Sequence, residues 1–522
     1  MATRAAAMPR SAQATRSFGP PLRPIQPLAL TYVARRGLEV LRAQLAGLEL
    51  PDHAEIVAKT LAHLKRAAQS RSSPTRNGTK VLAILPRGST EQTTHLRERF
   101  RGCNRRQRLY RALSMDTHRS AEGTVGLAIV GLGGAVSTTA IAGLTLLRAG
   151  LVGTAGLPLA AAPADLVQEL ARYQDLTFGG WDLCPDDLAT AALGHDVLSA
   201  KQYAQAENAL SAISPWPAIG NAAYSAKVDG QHRVLAECHR DGIALIRADL
   251  RRFKAENNLR AVVMINLAST ESFVDCGAPV YATLERFDAA LDSNSADISP
   301  AMLYAYAAIA EGVPYANFTP SLAADVPALV EFAIRQSVPI GGKDGKTGQT
   351  MIKTVLAPAL RTRALHVDGW FSTNLLGNRD GMALSSPGSL KSKIATKGSV
   401  LDQILGYKVE SHLVNICYYQ PRADNKEAWD NIDVTGFLGQ KMQIKVNFLC
   451  RDSILAAPLV IEIARILDLA KRRGEGGVQE QLGLFFKLPQ TKDSDAQPEH
   501  ALHLQEQALF SWLRSAVLES AR

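Results

Sequence analysis

From Val125 to Leu147 the chain carries no charge, and the apolar stretch is internally punctuated. Val-Gly-Leu-Ala-Ile-Val (125–130) has the unbroken apolar character of a strand buried on both faces. Gly131, Gly133 and Gly134 follow as a turn, and Ser137, Thr138 and Thr139 lead into an apolar helix. Length alone would admit a membrane span, but glycine punctuation between strand and helix places this stretch in an α/β protein. The same reading extends along the chain. Arg-Ala-Val-Val-Met-Ile-Asn (260–266) is a second buried strand, ending in polar Ser269, Thr270 and Glu271. That end is where open α/β sheets take their ligands. The pattern of Ala301 to Gly312 predicts a helix stopped by Pro314. Lys445–Cys450 alternates like a strand. Ile454–Ala470 reads as a long helix with Lys471, Arg472 and Arg473 at its C-terminal end, where cations suit the dipole. Nearer the start, Leu38–Leu64 has helical spacing around Pro51, and Lys80–Leu85 reads as a strand.

With 522 residues, 46% of them hydrophobic, the chain buries large cores and divides into two domains or one domain with an insertion. The net charge of +9 is concentrated at the start: residues 1–38 hold Arg4, Arg10, Arg16, Arg23, Arg35 and Arg36 and no acid. This stretch is a disordered basic arm, a targeting peptide or a mis-assigned start; nothing in it marks a cleavage site. Only Phe18 and Tyr32 offer stacking surfaces there, so no nucleic-acid partner is expected. Cys103, Cys184, Cys238, Cys276, Cys417 and Cys450 are widely separated, with no Cys-x-x-Cys. They predict a reduced, cytoplasmic setting, no structural metal, and buried apolar roles for the thiols.

The chemistry begins at the glycine turn. Strand, glycines and helix start form a dinucleotide cradle in which backbone N–H groups meet a pyrophosphate. Its residues are Gly131, Gly133, Gly134, Ala135, Val136 and Ser137, with Ser269 and Thr270 on the adjacent strand end. Val136 stands where the third fingerprint glycine would be, and no acid follows about 20 residues later. A turn that serves only strand–helix packing is the alternative. Further on, Gly-Gly-Lys-Asp-Gly-Lys-Thr-Gly-Gln-Thr (341–350), Leu-Leu-Gly-Asn-Arg-Asp-Gly (375–381) and Leu-Lys-Ser-Lys-Ile-Ala-Thr-Lys (390–397) set lysines among glycine and small polar residues. Ammonium groups on such a framework hold phosphate and offset oxyanion charge.

Taken in order, Gly-Leu-Gly-Gly (131–134), Gly-Gly-Trp-Asp (179–182), Ile-Ser-Pro (298–300), Lys-Thr-Gly-Gln-Thr (346–350), Leu-Gly-Asn-Arg-Asp-Gly (376–381), Ser-Lys-x-x-x-Lys (392–397), Asp-Asn-Lys (424–426), Asp-Ser-x-x-Ala-Ala-Pro (452–458) and Phe-Phe-Lys (485–487) resemble the myo-inositol-1-phosphate synthase family, in its archaeal and bacterial branch. The resemblance runs from about Val125 to about Pro489. It implies a Rossmann-like NAD-binding domain over 121–337, closed by 450–522, with an inserted α+β catalytic and oligomerisation domain over 338–449. Residues 1–120 are then a basic, partly disordered extension. It implies NAD-dependent cyclisation of glucose 6-phosphate to inositol 3-phosphate by oxidation, enolisation, intramolecular aldol closure and reduction. The implied catalytic residues are Lys393, Lys397, Lys426, Lys487 and Asp344. Lys346, Asn374, Asn378, Asp380 and Asp452 are implied to line the substrate and nicotinamide pocket, with Asp452 orienting the lysines. Arg379 stands where eukaryotic relatives carry asparagine. A homotetramer without membrane or nucleic-acid partners is implied, and relatives of the archaeal type often use a divalent cation. The alternatives are a homologue cyclising another sugar phosphate and a non-catalytic NAD-binding homologue.

Several assignments have simpler structural readings. Lys393 and Lys397 would share an exposed helix face, Lys487 would snorkel at a core edge, and Asp344 and Asp380 would be turn residues. Trp181 and Asp182 are cofactor contacts or, the reading preferred here, a core tryptophan and a helix-capping Asp. His195 and His232 are isolated in the sequence and are expected to have no site role.

Overall fold

The computed structural model describes residues 123–224, 230–377, 399–493 and 495–520. The N-terminal extension, with its expected helix and strand, lies outside the described residues, as do Asn378, Arg379, Asp380, Lys393 and Lys397.

The first sheet grows from the apolar runs. Its strands are β1 (Val125–Val130), β2 (Leu176–Asp182), β3 (Trp216–Pro217), β4 (Ala261–Asn266), β5 (Tyr315–Asn317), β6 (Pro339–Gly342) and β11 (Gly477–Val478), in the order β11-β6-β5-β4-β1-β2-β3. Every pairing is parallel. A parallel sheet needs helical crossovers, which cover both faces and make each central strand apolar throughout. Along β1, Val125, Leu127 and Ile129 enter one core and Ala128 and Val130 the other. The charge-free stretch is therefore β1 followed by α1 (Ala135–Arg148), the expected strand, turn and helix. Helix α2 (Leu188–His195) packs against α1 on the same face. On the opposite face lie α3 (His239–Glu256) and the nearly all-buried α4 (Pro300–Ala310), whose N1 proline and Ser299 cap set its start.

The second sheet holds β7 (His366–Leu376), β8 (Ser411–Tyr418), β9 (Asn425–Thr435) and β10 (Lys441–Arg451), ordered β10-β9-β7-β8. Helices α5 (Gln349–Thr362) and Ser399–Leu405 close its small core around Trp370, Leu401 and Ile432. The chain then returns through α6 (Asp452–Arg472), which packs under the first sheet, and ends in α7 (Leu502–Ser520).

Two expectations need correction. The inserted domain is expected to begin at 338, but Pro339–Gly342 pairs with β5 and β11 as part of the first sheet. Its four residues, half of them glycine, give no apolar run by which to read a strand. The thiols are not uniformly buried either. Among the described cysteines only Cys450 is buried, and Cys276 and Cys417 are exposed.

Candidate active site

The nucleotide half of the site lies at the carboxyl ends of β1 and β4, which run side by side with Val130 opposite Asn266. Gly131 has φ +89°, a conformation side chains rarely adopt, and a Cβ there would come within 3.1 Å of the backbone of Ala268. The turn thus lies against the segment that carries Ser269 and the buried Thr270. Gly131 N–H and Leu132 N–H both donate to Trp181 O, and Ser137 Oγ donates to Gly131 O at 2.9 Å. Helix α1 starts after Gly134 with no side-chain cap and no acid in its first turn. The first-turn amides of Ala135, Val136 and Ser137 therefore keep the donor capacity that an incoming anion uses. A pyrophosphate fits this cradle.

Asp182 and His195, the latter given no site role by its sequence position, grip the peptides of Gly133. The Asp182 Oδ2 accepts the Gly133 N–H at 2.8 Å, and Oδ1 accepts Cys184 N–H at 3.0 Å. Asp182 therefore braces the glycine turn and does not cap a helix. It ends β2, the strand beside β1, where a dinucleotide fold places its ribose acid. The segment between α1 and β2 carries it far beyond the usual spacing of about 20 residues. His195 Nε2 lies 2.7 Å from Gly133 O and donates to it. No local sequence motif marks that contact, because it joins residues 62 positions apart. Trp181 is buried in the core as expected, with its Nε1–H donated to Asp249.

The second half of the site is a small cleft bordered by Gly348, Gln349, Thr350, Asn374, Lys426 and Lys487. Strand alternation explains its polar wall. On β7 the residues Trp370, Ser372, Asn374 and Leu376 face inward, and their register partners on β9 are Ile432, Asp430, Ala428 and Lys426. One end of this face is apolar and the other is polar. Lys426 Nζ lies 3.4 Å from Asp452, the first residue of α6, and Asp452 also accepts Thr347 Oγ1–H at 2.8 Å. Lys487 Nζ donates to Asp344 Oδ1 at 2.7 Å with both side chains buried. Asp344 has φ +59°, so it is a turn residue and an ion-pair partner at once. The strip 343–346 is held to 485–488 by Lys343 N–H to Leu488 O, Lys346 N–H to Phe485 O and Lys487 N–H to Asp344 O. Lys487 is therefore no snorkelling surface lysine. The pairs Lys426–Asp452 and Lys487–Asp344 fix two ammonium groups in a water-poor cleft, an arrangement suited to stabilising anionic oxygen.

Lys346 is placed differently. Its buried ammonium donates to Gln505 Oε1 on α7, away from the cleft, and burial lowers its pKa to about 7. Lys353, buried on α5, is lowered to about 8 by the same cause, partly countered by Asp430. The unfolded chain binds more protons than the folded one between these values and the ordinary lysine pKa of 10.5, so these groups make stability rise with pH across that interval. Melting temperature measured from pH 7 to pH 9.5 is expected to carry this rising contribution, and Lys346→Met to flatten it.

Gln349 and Thr350 border the cleft, although in the sequence their motif stands out and neither residue's role does. Asp430 and Ser372 form the layer behind them, with Ser372 Oγ and Trp370 Nε1 each donating to Asp430 Oδ1 at 2.7 Å.

The profile of an NAD-binding family described as myo-inositol-1-phosphate synthase matches residues 125–514. Inositol-3-phosphate synthase 1 of Bacteroides thetaiotaomicron is 42% identical over 418 residues, spanning 77% of this chain and 97% of that protein. Inositol-3-phosphate synthase isozyme 1 of Arabidopsis thaliana is 33% identical over 330 residues, spanning 60% of this chain and 64% of the plant protein. The crystal structure of inositol-3-phosphate synthase from Caenorhabditis elegans superposes with a TM-score of 0.70 at 27% identity, covering 75% of this chain and 85% of the other. With the profile spanning most of the chain and the bacterial relative aligned along nearly its full length, the chain belongs to the myo-inositol-1-phosphate synthase family.

Proposed function

We propose that this chain is an inositol-3-phosphate synthase that cyclises D-glucose 6-phosphate to 1D-myo-inositol 3-phosphate with NAD used catalytically. The observation that carries the reading is the pair of ammonium–carboxylate couples, Lys487–Asp344 and Lys426–Asp452, brought to one cleft in a chain of this family. NAD bound there would supply reversible hydride acceptance at carbon 5 of the sugar, with no net redox change, so the overall reaction would be an isomerisation. The glycine turn, the first-turn amides of α1, and the Ser269–Thr270 segment would hold it, with Asp182 on the ribose. Lys426 and Lys487 offset the negative charge that develops on oxygen during enolisation and ring closure, a role that a desolvated ammonium performs far better than one in water. Asp344 and Asp452 keep those ammonium groups aimed. Lys393, Lys397, Asn378 and Asp380 are assigned to the same site on family resemblance. The cofactor domain would comprise 121–342 with the segment after β10, and the catalytic and oligomer-forming domain the residues between.

A homotetramer is part of this reading. The outward face of the second sheet exposes Phe371, Leu413, Trp429 and Leu449 at 42–60% of their full areas, an apolar surface suited to self-association. Among the described residues no helix is long and apolar enough to cross a membrane. The widely separated cysteines, with no Cys-x-x-Cys, support a reduced, cytoplasmic setting. The test is incubation of the purified protein with glucose 6-phosphate and substoichiometric NAD, with and without a divalent cation or ammonium, followed by phosphorus NMR and mass spectrometry. Inositol phosphate without net NADH is expected. Unchanged glucose 6-phosphate in every arm would overturn the assignment.

A further inference from the structure

We propose that Asp430 is a positioning residue that sets the direction of a buried hydrogen-bond chain, so that Asn374 must offer its carbonyl oxygen, and not its amino group, to a substrate hydroxyl. The inference rests on reading the cleft as a sugar-phosphate site. Asp430 is 3% exposed and does not border the cleft itself. Its Oδ1 accepts from the Trp370 indole, which can only donate, and from Ser372. An ionised carboxylate accepts only, so the Gln349 end at 3.2 Å from both Asp430 oxygens must be the Nε2 amino group. Gln349 then turns Oε1 toward Asn374, whose Nδ2 donates to it at 2.5 Å. Asn374 Oδ1 is left buried with no hydrogen-bond partner among the described residues.

A buried acceptor without a donor is costly, and it is relieved when a ligand supplies the donor. Both amides border the same cleft as Lys426 and Lys487, and a polyol supplies hydroxyl donors. The charge on Asp430 is supported from behind by Lys353, which lies over the Trp370 ring at 5.7 Å and donates to His412 Nε2 at 2.7 Å. Burial holds that imidazole neutral, with a pKa near 4, so it can accept. Amide orientations that are interchangeable elsewhere are fixed here by a single acceptor-only group.

The test exchanges the carboxylate and the amide of this pair. In Asp430→Asn the new side chain keeps Oδ1 for Trp370 and Ser372 and presents an amino group to Gln349. Gln349 must turn over, Asn374 must follow, and a donor then faces the substrate. At least about a tenfold rise in KM and in the dissociation constant for glucose 6-phosphate is expected, with NAD affinity unchanged. Gln349→Glu sets two carboxylates face to face and is expected to be similarly impaired. The double variant Asp430→Asn/Gln349→Glu restores the original direction, since the carboxylate introduced at position 349 accepts from both neighbours, and is expected to recover substrate affinity to within about threefold of wild type. A role confined to packing would make the double variant at least as poor as either single one. That outcome, or wild-type substrate affinity in a folded Asp430→Asn protein, overturns the inference. Equilibrium dialysis of glucose 6-phosphate separates this from the reaction itself: rescue of binding without inositol phosphate formation by the wild type would overturn the assigned reaction and leave the direction of the chain standing. Absence of binding to the wild type would overturn both.

Discussion

Lys487→Met is expected to lower turnover by about a thousandfold, at the upper end of what removal of one oxyanion-stabilising donor costs. The substitution keeps the apolar stem that follows Phe485 and Phe486 in the core and removes only the charge. It also strips a buried carboxylate of the ammonium 2.7 Å away, and breaking a buried pair from one side costs about 3 kcal/mol or more. Urea unfolding should register that loss. Adding Asp344→Asn should return part of the stability, because the uncompensated charge is gone, while turnover stays lost. Affinity for NAD should remain within about threefold of wild type, since the lysine borders the cleft and not the glycine turn. Recovery of turnover in the double variant would refute a chemical role for the ammonium.

Gly133→Val is expected to do the reverse. A Cβ at Gly133 would sit 3.2 Å from Asp182 Oδ2 and 3.3 Å from its Cγ, and the valine methyls extend further. Asp182 must swing away, which breaks its bond to the Gly133 N–H and removes the brace that fixes the turn beside α1. Loss of a charge-assisted hydrogen bond together with steric blockage of the pyrophosphate should weaken NAD binding by about a hundredfold. Turnover at saturating NAD should largely return, because Lys426 and Lys487 are untouched. Fluorescence titration with NADH measures the first effect and steady-state assays the second; wild-type affinity would remove the glycine turn from the cofactor site.

The legible parts of this protein are those whose burial is simple. β1, β4, α4 and α6 are readable because a strand covered on both faces is apolar at every position, and a buried helix nearly so. β3, β5, β6 and β11 are two to four residues long and owe their pairing to neighbours, so no local pattern announces them. β7 misleads for a different reason: its inward residues include Ser372 and Asn374, while Phe371 faces out. A strand that lines a polar cleft on one side and bears an apolar outer surface inverts the usual alternation. In the candidate site, Lys426, Lys487, Asp344, Asn374 and Asp452 are legible through ordered family motifs. His195 and Asp430 are not, since they act through partners 62 and 81 positions away and touch only what the fold brings to them; Asp182 stands in a quoted motif, but its hold on Gly133, 49 positions away, is not marked there.

The placement of β11 at the edge of the first sheet has a consequence for how the protein is made. This strand and Lys487 emerge from the ribosome only after the whole second sheet, yet β11 must pair with β6, some 138 positions earlier. Closure over so long a separation is slow compared with local helix formation. Until it occurs, one edge of the sheet lacks its last strand and the cleft lacks an ammonium. Nascent chains shorter than this point would therefore be inactive and would expose an unpaired β6 edge, so activity should appear late in synthesis and in one step.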